Sequence, residues 1–510
     1  MIELTADQRT TVFEIKHPAY VANVASWSIF LDAYDGQGGF LDGEYLDRYP
    51  REVEAEFTKR KAAARYHNYS ETLCNLYSRK IFSRPIERRV SDEDLKAWLT
   101  NVDGAGTDMS TFVSQVLTRA LAAGHCGALC DMTQAAPTGP SKADQQAAVY
   151  LTQYLPPDIQ DWRVEADGSL AAVKLREQVD STNLLDAHAD GDEAVRMLLW
   201  DRESWVRVPH RTTDAIESDV HLLGLVPFAV LTPKPLQRWP LVGKSLLGNA
   251  NVIRALFNRA AEEDQVLRDQ AFSMLTINVP AEGDVEKVKT QLGSETGTTR
   301  ALVTQGQADY IAADMNVPKA IRDNIAYLVQ EIYRMAFMKS TRESLEAESA
   351  EAIRLKHDEL NDYLVSIADQ CERLEKQLIR FWCAWTSASE EQAQAKFDSL
   401  DLTINYAQEF FLTDIEQDLK AWAVGLKMEL GKTMEKRLRL RAAHRLEPNL
   451  SEDEKAEVEK EIEAIASKPK PDPAAMVEGL RAAAAAAARM PKPGQTIPPA
   501  KPDEGAGAGA

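Results

Sequence analysis

Residues 246–272 read LLGNANVIRALFNRAAEEDQVLRDQAF, and the fold turns on how that stretch is read. Ile253, Leu256, Ala260 and Leu267 recur at the spacing of one helix face, which leaves Glu263, Asp264 and Asp269 for other directions. The pattern then stops. Residues 273–317 are mixed, with Val279, Pro280, Gly283, Gly293, Gly297 and Gly306, and helical spacing returns over residues 318–338. The order is helix, small α/β insert, helix.

Toward the C-terminus the next pattern is the clearest in the chain. Ile353, Leu360, Leu364, Ile367, Cys371, Leu374, Leu378, Phe381 and Trp385 alternate gaps of four and three after the first step, a heptad stripe. The spacing predicts one helix of nearly 40 residues over 349–385, roughly 60 Å long. Taken alone, such a stripe means packing against neighbouring helices and carries no function. Beyond it come a short strand at 402–406, a helical pair at 413–428 and 433–446, and a charged segment at 451–466 opened by Ser451 and Glu454 at capping-box spacing. Pro469, Pro471 and Pro473 break the chain, an alanine run at 482–488 allows one more helix, and residues 491–510 are low-complexity tail.

Toward the N-terminus, residues 148–230 hold short β-like runs at 149–151, 170–175, 197–200 and 205–208, separated by Pro, Gly and Asp, which predicts a sheet. Earlier still, Tyr20, Val24, Trp27, Phe30 and Leu31 mark a helix before the break at Gly36, Gly38 and Gly39. A second helix is predicted over 51–81 from Phe57, Ala64, Tyr69, Leu73, Leu76 and Tyr77, with Pro85 after its end. Further helices fall at 95–99 and 111–123, where Gly124 and Gly127 interrupt. The class expected is α+β, mainly helical.

With 510 residues, 44% hydrophobic and 27% charged, the chain can build several packed modules, and it has no apolar run long enough to span a bilayer. Its start has neither a basic flank nor an apolar stretch, so no secretory signal is expected. Five cysteines without paired spacing read as reduced, buried thiols. A net charge of -20 repels a polyanion at long range, which argues against tight nonspecific nucleic-acid binding but not against a protein past which DNA must slide.

Apparent chemical motifs fail on spacing. Gly425 to Gly431-Lys432-Thr433 has five residues between its glycines where a phosphate loop has four, and Gly243-Lys244-Ser245 has Arg238 where the leading glycine belongs. Asp186, His188, Asp190 and Gly191 imitate a calcium loop whose twelfth position is Met197 instead of Glu. His125, Cys126 and Cys130 are close together but at spacing that favours packed core over a metal site. No nucleophile constellation assembles, so no catalytic residue, metal or cofactor is expected.

Three segments in order resemble the portal proteins of tailed bacteriophages. Pro18, Ala19, Tyr20, Trp27, Asp32 and Gly36, then Phe57, Arg60, Ala64, Asn68, Leu73, Ile81, Phe82 and Pro85, are similar to the opening of one branch of that family. Pro240, Leu247, Asn251, the helix to Phe272, Val279-Pro280, the glycine-rich insert and residues 325–338 resemble the stem and clip. Residues 402–406, Phe410, Phe411, Asp414, Gly431-Lys432-Thr433 and the acidic stretch 451–463 are similar to the segment that closes the wing and enters the crown. The resemblance covers residues 15–465, and its specificity lies in the order of loose patterns.

The resemblance implies a portal fold with wing, stem, clip and crown, in a homo-oligomeric ring of about twelve subunits at one capsid vertex. Residues 1–244 would be wing, 245–272 and 318–338 the two stem helices, and 273–317 the clip between them. Residues 339–348 would be the tunnel loop, 349–412 the long wing helix and closing strand, 413–468 the crown helices and 469–510 the tail. Such a subunit lets double-stranded DNA through without sequence reading, for packaging, retention and ejection. It docks the large terminase subunit, whose separate ATPase supplies the energy, and the head-tail adaptor, and it contacts the major capsid protein and a scaffold. It is assembled in the host cytoplasm and ends in the virion.

On this reading Glu263, Asp264 and Asp269 are channel-facing acids that repel phosphate, and Ile253, Leu256, Leu267, Leu360, Leu364, Ile367, Leu374 and Leu378 pack the core or the ring. Lys339 and Arg342 are the basic exceptions, which either touch backbone phosphate loosely or pair with Glu343 and Glu346. Two other functions compete: a different head-tail adaptor or scaffold-type assembly protein, and a hydrolase in the β-rich section.

Overall fold

The computed structural model describes residues 6–133, 148–178, 194–210, 215–270, 274–278, 301–304, 310–311, 316–336, 350–407, 410, 432–446 and 452–467. It is mixed α/β, about 54% helix and 18% strand, so helix dominates as expected. The chain divides into two compact units, Met1–Phe411 and Leu412–Ala510. The predicted calcium-like turn at 186–191, the helices at 413–428 and 482–488 and the tail lie outside the described residues.

The first unit opens with α1 (Ala6–Glu14) and α2 (Pro18–Asp35). Helix α2 starts where Pro18 supplies a preset φ and His17 Nδ1 accepts the Ala19 N–H at 3.1 Å, and it stops at Gly36, which takes a left-handed φ of 64°. The single helix expected over 51–81 is two, α3 (Glu54–Ala63) and α4 (Tyr69–Ile81). Ala64 leaves the helical region at ψ 139°, and Asn68 restarts it as an N-cap by accepting the Glu71 N–H at 2.9 Å. Strand β1 (Glu87–Arg89), α5 (Glu93–Leu99) and α6 (Met109–Ala123) follow. Asp108 caps α6 at Thr111 N, 2.7 Å away, and Phe112, Val113, Val116, Leu117, Ala120 and Leu121 on it are buried.

The β-rich section is two sheets. In the first, β2 (Cys126–Met132) lies between β3 (Val149–Tyr154) and the later β9 (Phe228–Leu231), both antiparallel to it. The second is an antiparallel meander of β4 (Ile159–Val164), β5 (Leu170–Gln178), β6 (Val195–Trp200), β7 (Ser204–Pro209) and β8 (Glu217–Val220). Trp27, Tyr154, Trp162, Leu175, Leu198, Trp200 and Phe228 form the apolar cluster that joins α2 to both sheets. Lys174 of β5, nearly buried, donates to the Val12 and Ile15 carbonyls at the end of α1, so the helix dipole and open acceptors take up its charge.

Then come α7 (Ala250–Gln270), the insert strands β10 (Met274–Asn278), β11 (Ala301–Thr304) and β12 (Tyr310–Ile311), and α8 (Asn316–Met335). Strand β10 is central in its sheet, parallel to β11 and antiparallel to β12. Helix α9 (Ala350–Trp385) runs for 36 residues and packs on α4, α6, β2 and β9. Leu364, Ile367, Cys371, Leu374, Leu378 and Phe381 are buried along the heptad stripe, and Leu360 packs partly buried at its edge. Ala368, Ile379, Trp382 and Cys383 are buried too, so the helix is enclosed on more than a two-position seam. It is a core helix. After α10 (Glu390–Ser399), β13 (Thr403–Asn405) pairs antiparallel with β1, tying the end of the unit to its beginning.

The second unit contains α11 (Lys432–Leu446) and α12 (Glu452–Ser467), which pack on one another. No helix among the described residues is long and apolar enough to cross a membrane.

Candidate functional site

Helices α7 and α8 flank the insert and lie against each other, and their sequence explains why they pair. Ile253, Leu256, Phe257, Ala260 and Ala261 bury one side of α7, while α8 contributes Ile332 and the partly buried Ile325, Leu328, Val329 and Tyr333. The pair is antiparallel: Gly248, just before α7, touches Met335 at the end of α8, and Glu263 bridges to Arg322 near its start. Gly248 holds a left-handed φ of 75°, which favours glycine, and a Cβ there would lie 2.2 Å from Met335 Sδ, so the methionine side chain would have to shift.

The base of the pair is fastened to the segment between α2 and α3 and to α4. Asn258 Oδ1 accepts from Asp47 N at 2.8 Å, and its amide donates to the Tyr45 carbonyl at 3.0 Å. Arg254 donates to the Tyr45 carbonyl at 3.2 Å and to the Asp47 carboxylate at 2.5 Å. On the other helix, the Tyr77 hydroxyl of α4 donates to the Ala336 carbonyl. The fully buried positions of α7 end at Ala261, after which its described residues are half-buried or exposed, though the Tyr49 hydroxyl still donates to Glu262. On α8, Val317 and Tyr327 are 45% and 56% exposed.

Glu263 and Asp264 do not lie away from the apolar side of α7. Glu263 is seven residues beyond Leu256 and Asp264 four beyond Ala260, so both continue the same side past its buried part. There Glu263 meets Arg322, and Asp264 comes within 3.9 Å of Arg65. Leu267 is half-buried one turn further on. Asp269 is within α7, but its side chain is outside the described residues, as are Lys339 and Arg342. The Glu263–Arg322 pairing joins residues 59 apart in sequence, and no local pattern announces it.

Other chemistry-bearing groups are built into the scaffold. His125, Cys126 and Cys130 are buried at and along β2; burial pushes the Cys126 thiol up to about 12 and the Cys130 thiol well above its ordinary value, so both stay protonated. His125 lines a small cavity with Ile159, Trp162, Val173, Phe228 and Leu241, its Nδ1 is buried without a hydrogen bond, and burial lowers its pKa to about 3. Among the described residues no group of three metal-ligating side chains gathers. The Gly243-Lys244-Ser245 stretch supports α6: Ser245 Oγ donates to the Ala122 carbonyl at 2.5 Å, and Lys244 N donates to the Lys234 carbonyl at 2.9 Å.

No protein-family model matches the chain, and no curated protein matches it. The reading of function therefore rests on the residues and their arrangement.

Proposed function

We propose that this chain is one subunit of the portal ring of a tailed bacteriophage, a channel of about twelve copies through which double-stranded DNA is packaged, held and released. The observation that supports it most is the order of elements: an antiparallel helix pair carrying a small β insert, fastened at its base and followed by a long helix through the core. In this reading α7 and α8 are the stem, the insert is the clip that meets the terminase and later the adaptor, residues 1–244 are wing, and α11 and α12 belong to the crown. The subunit moves DNA without chemistry of its own. A net charge of -20 suits a conduit, because each added cation on the duplex would release counterions and strengthen the hold on cargo that has to slide.

Electron microscopy of the purified full-length protein tests the proposal. Rings with a central hole and about twelve-fold symmetry are expected. A monodisperse monomer at high concentration overturns it. In the same reading Lys339 and Arg342 brush the phosphate backbone, so replacing both with alanine changes the length of DNA packaged or retained; unchanged packaging and retention removes them from the channel.

A further inference from the structure

Directly after β8 the chain makes a tight loop, residues 221–224, that is strained at a leucine and held by a histidine. Leu222 has a φ of 53°, in the left-handed region that a residue with a Cβ enters at a cost. Its side chain is 75% exposed, so its own burial does not compensate, and the conformation is imposed by its neighbours. Three backbone donors impose it. His221 N and Leu222 N both donate to the Glu203 carbonyl, at 2.8 and 3.2 Å, and Leu223 N donates to His221 Nδ1 at 3.2 Å. The other ring nitrogen, Nε2, lies 3.1 Å from the Asp201 carbonyl oxygen. An amide N–H can only donate, so Nδ1 is the acceptor, and the proton of the neutral ring is on Nε2, where the carbonyl receives it. The loop in turn seats Leu223, which is buried in a small cluster with Ala384 of α9 and Ala393 of α10.

A proton at Nδ1 turns that acceptor into a second donor facing the Leu223 N–H. We propose that His221 is a pH latch: when its ring is protonated the Leu223 contact breaks, Leu222 leaves the left-handed region, and Leu223 leaves the corner between α9 and α10. The ring lies between Trp200 of β6, 5.0 Å away between centroids, and Trp385 of α9, 6.1 Å away. The charged groups acting on it are Asp201 and Glu203 of the β6–β7 turn, which favour the proton, while the Glu390 carboxylate of α10 lies against Gly224. The Asp201 carboxylate already accepts the Glu203 and Ser204 N–H groups, at 2.8 and 2.6 Å. Burial outweighs these acids and holds the ring below its ordinary 6.5. The closed loop is therefore fully favoured above pH 6.5 and loses ground as the pH falls, by about tenfold per pH unit, because the released ring binds its proton with ordinary affinity.

The latch depends on no part of the portal reading. Hydrogen exchange on the full-length protein tests it, with protection of residues 221–224 compared with that of β6 and β7. Between about pH 7.5 and about pH 5.5 the loop's protection is expected to fall about tenfold while that of the strands holds. His221→Asn keeps an acceptor near the Leu223 N–H and has no titrating ring, so its loop protection is expected to stay level. An unchanged loop in the parent overturns the proposal, as does an equal fall in His221→Asn, which assigns the pH response to another group. A fall shared by β6 and β7 also overturns it, because protonation of a core group such as His125 loosens the sheet as a whole. Should His221→Asn fail to fold by circular dichroism, His221→Gln carries the same comparison, and the parent's own loop and strands are read against each other.

Discussion

Arg88 of β1 and Glu375 of α9 form a two-point salt bridge in which the carboxylate side chain is fully buried. Tyr406 donates to the same carboxylate at 3.0 Å, and Arg88 also donates to Ser110 Oγ at 2.8 Å, so one buried acid links the long helix to β1, α6 and the segment after β13. Burial opposes the charge on Arg88, and the hydrogen bonds and field of Glu375 outweigh it and raise its pKa.

Arg88→Ala leaves the Glu375 carboxylate without its counter-charge and is expected to cost about 3–5 kcal/mol of stability in the first unit. Chemical denaturation followed by tryptophan fluorescence measures it. A loss below about 1 kcal/mol refutes the buried-pair account, since that is the range of an exposed pair.

The contrast is Arg322 with Glu263, where the arginine side chain is 56% exposed. Arg322→Ala is expected to shift stability by less than about 1 kcal/mol, a difference that added salt erases. A larger, salt-resistant loss in the same denaturation experiment shows that the bridge holds α7 and α8 together.

His125 makes stability depend on pH. Its folded pKa is lowered by burial to about 3 from an ordinary 6.5, so below 6.5 the unfolded chain binds a proton that the folded chain refuses. This contribution is fully present above pH 6.5 and is lost as the pH falls toward 3, by an amount on the order of 5 kcal/mol. Thermal melting of His125→Leu against the parent between pH 7 and pH 4 reads it; parallel curves refute the assignment.

Gly243 and Gly124 touch backbone to backbone. A Cβ on Gly243 would lie 2.0 Å from the Gly124 carbonyl oxygen, and no side-chain rotation relieves that contact. Gly243→Ala is expected to cost more than about 2 kcal/mol, in the range of overpacked cores, and a melting temperature equal to the parent's excludes the contact.

The elements most legible in the sequence were those whose burial has a period. Leu364, Ile367, Leu374 and Leu378 lie on the buried side of α9, and the long helix falls close to its expected bounds. Strand β2 was not legible, because six of its seven residues are buried and a strand covered on both faces has no alternation to read; Gly127 looked like an interruption, yet its bare Cα makes room for Phe228. The break between α3 and α4 was hidden for another reason: apolar spacing continues through residues 64–68 while the backbone does not. At the helix pair the sequence showed the apolar side, but the partners of Glu263, Asp264 and Asn258 come from distant residues that only the tertiary fold brings near.

The antiparallel pairing of α7 and α8 also makes their insert exchangeable. It is entered at Gln270 and left at Asn316, from adjacent ends of two helices whose own packing is secured nearer Gly248, Asn258 and Ala336. A longer, shorter or rewritten passenger would leave those securing contacts untouched, because a loop entered and left at adjacent helix ends changes length at little cost to its anchor.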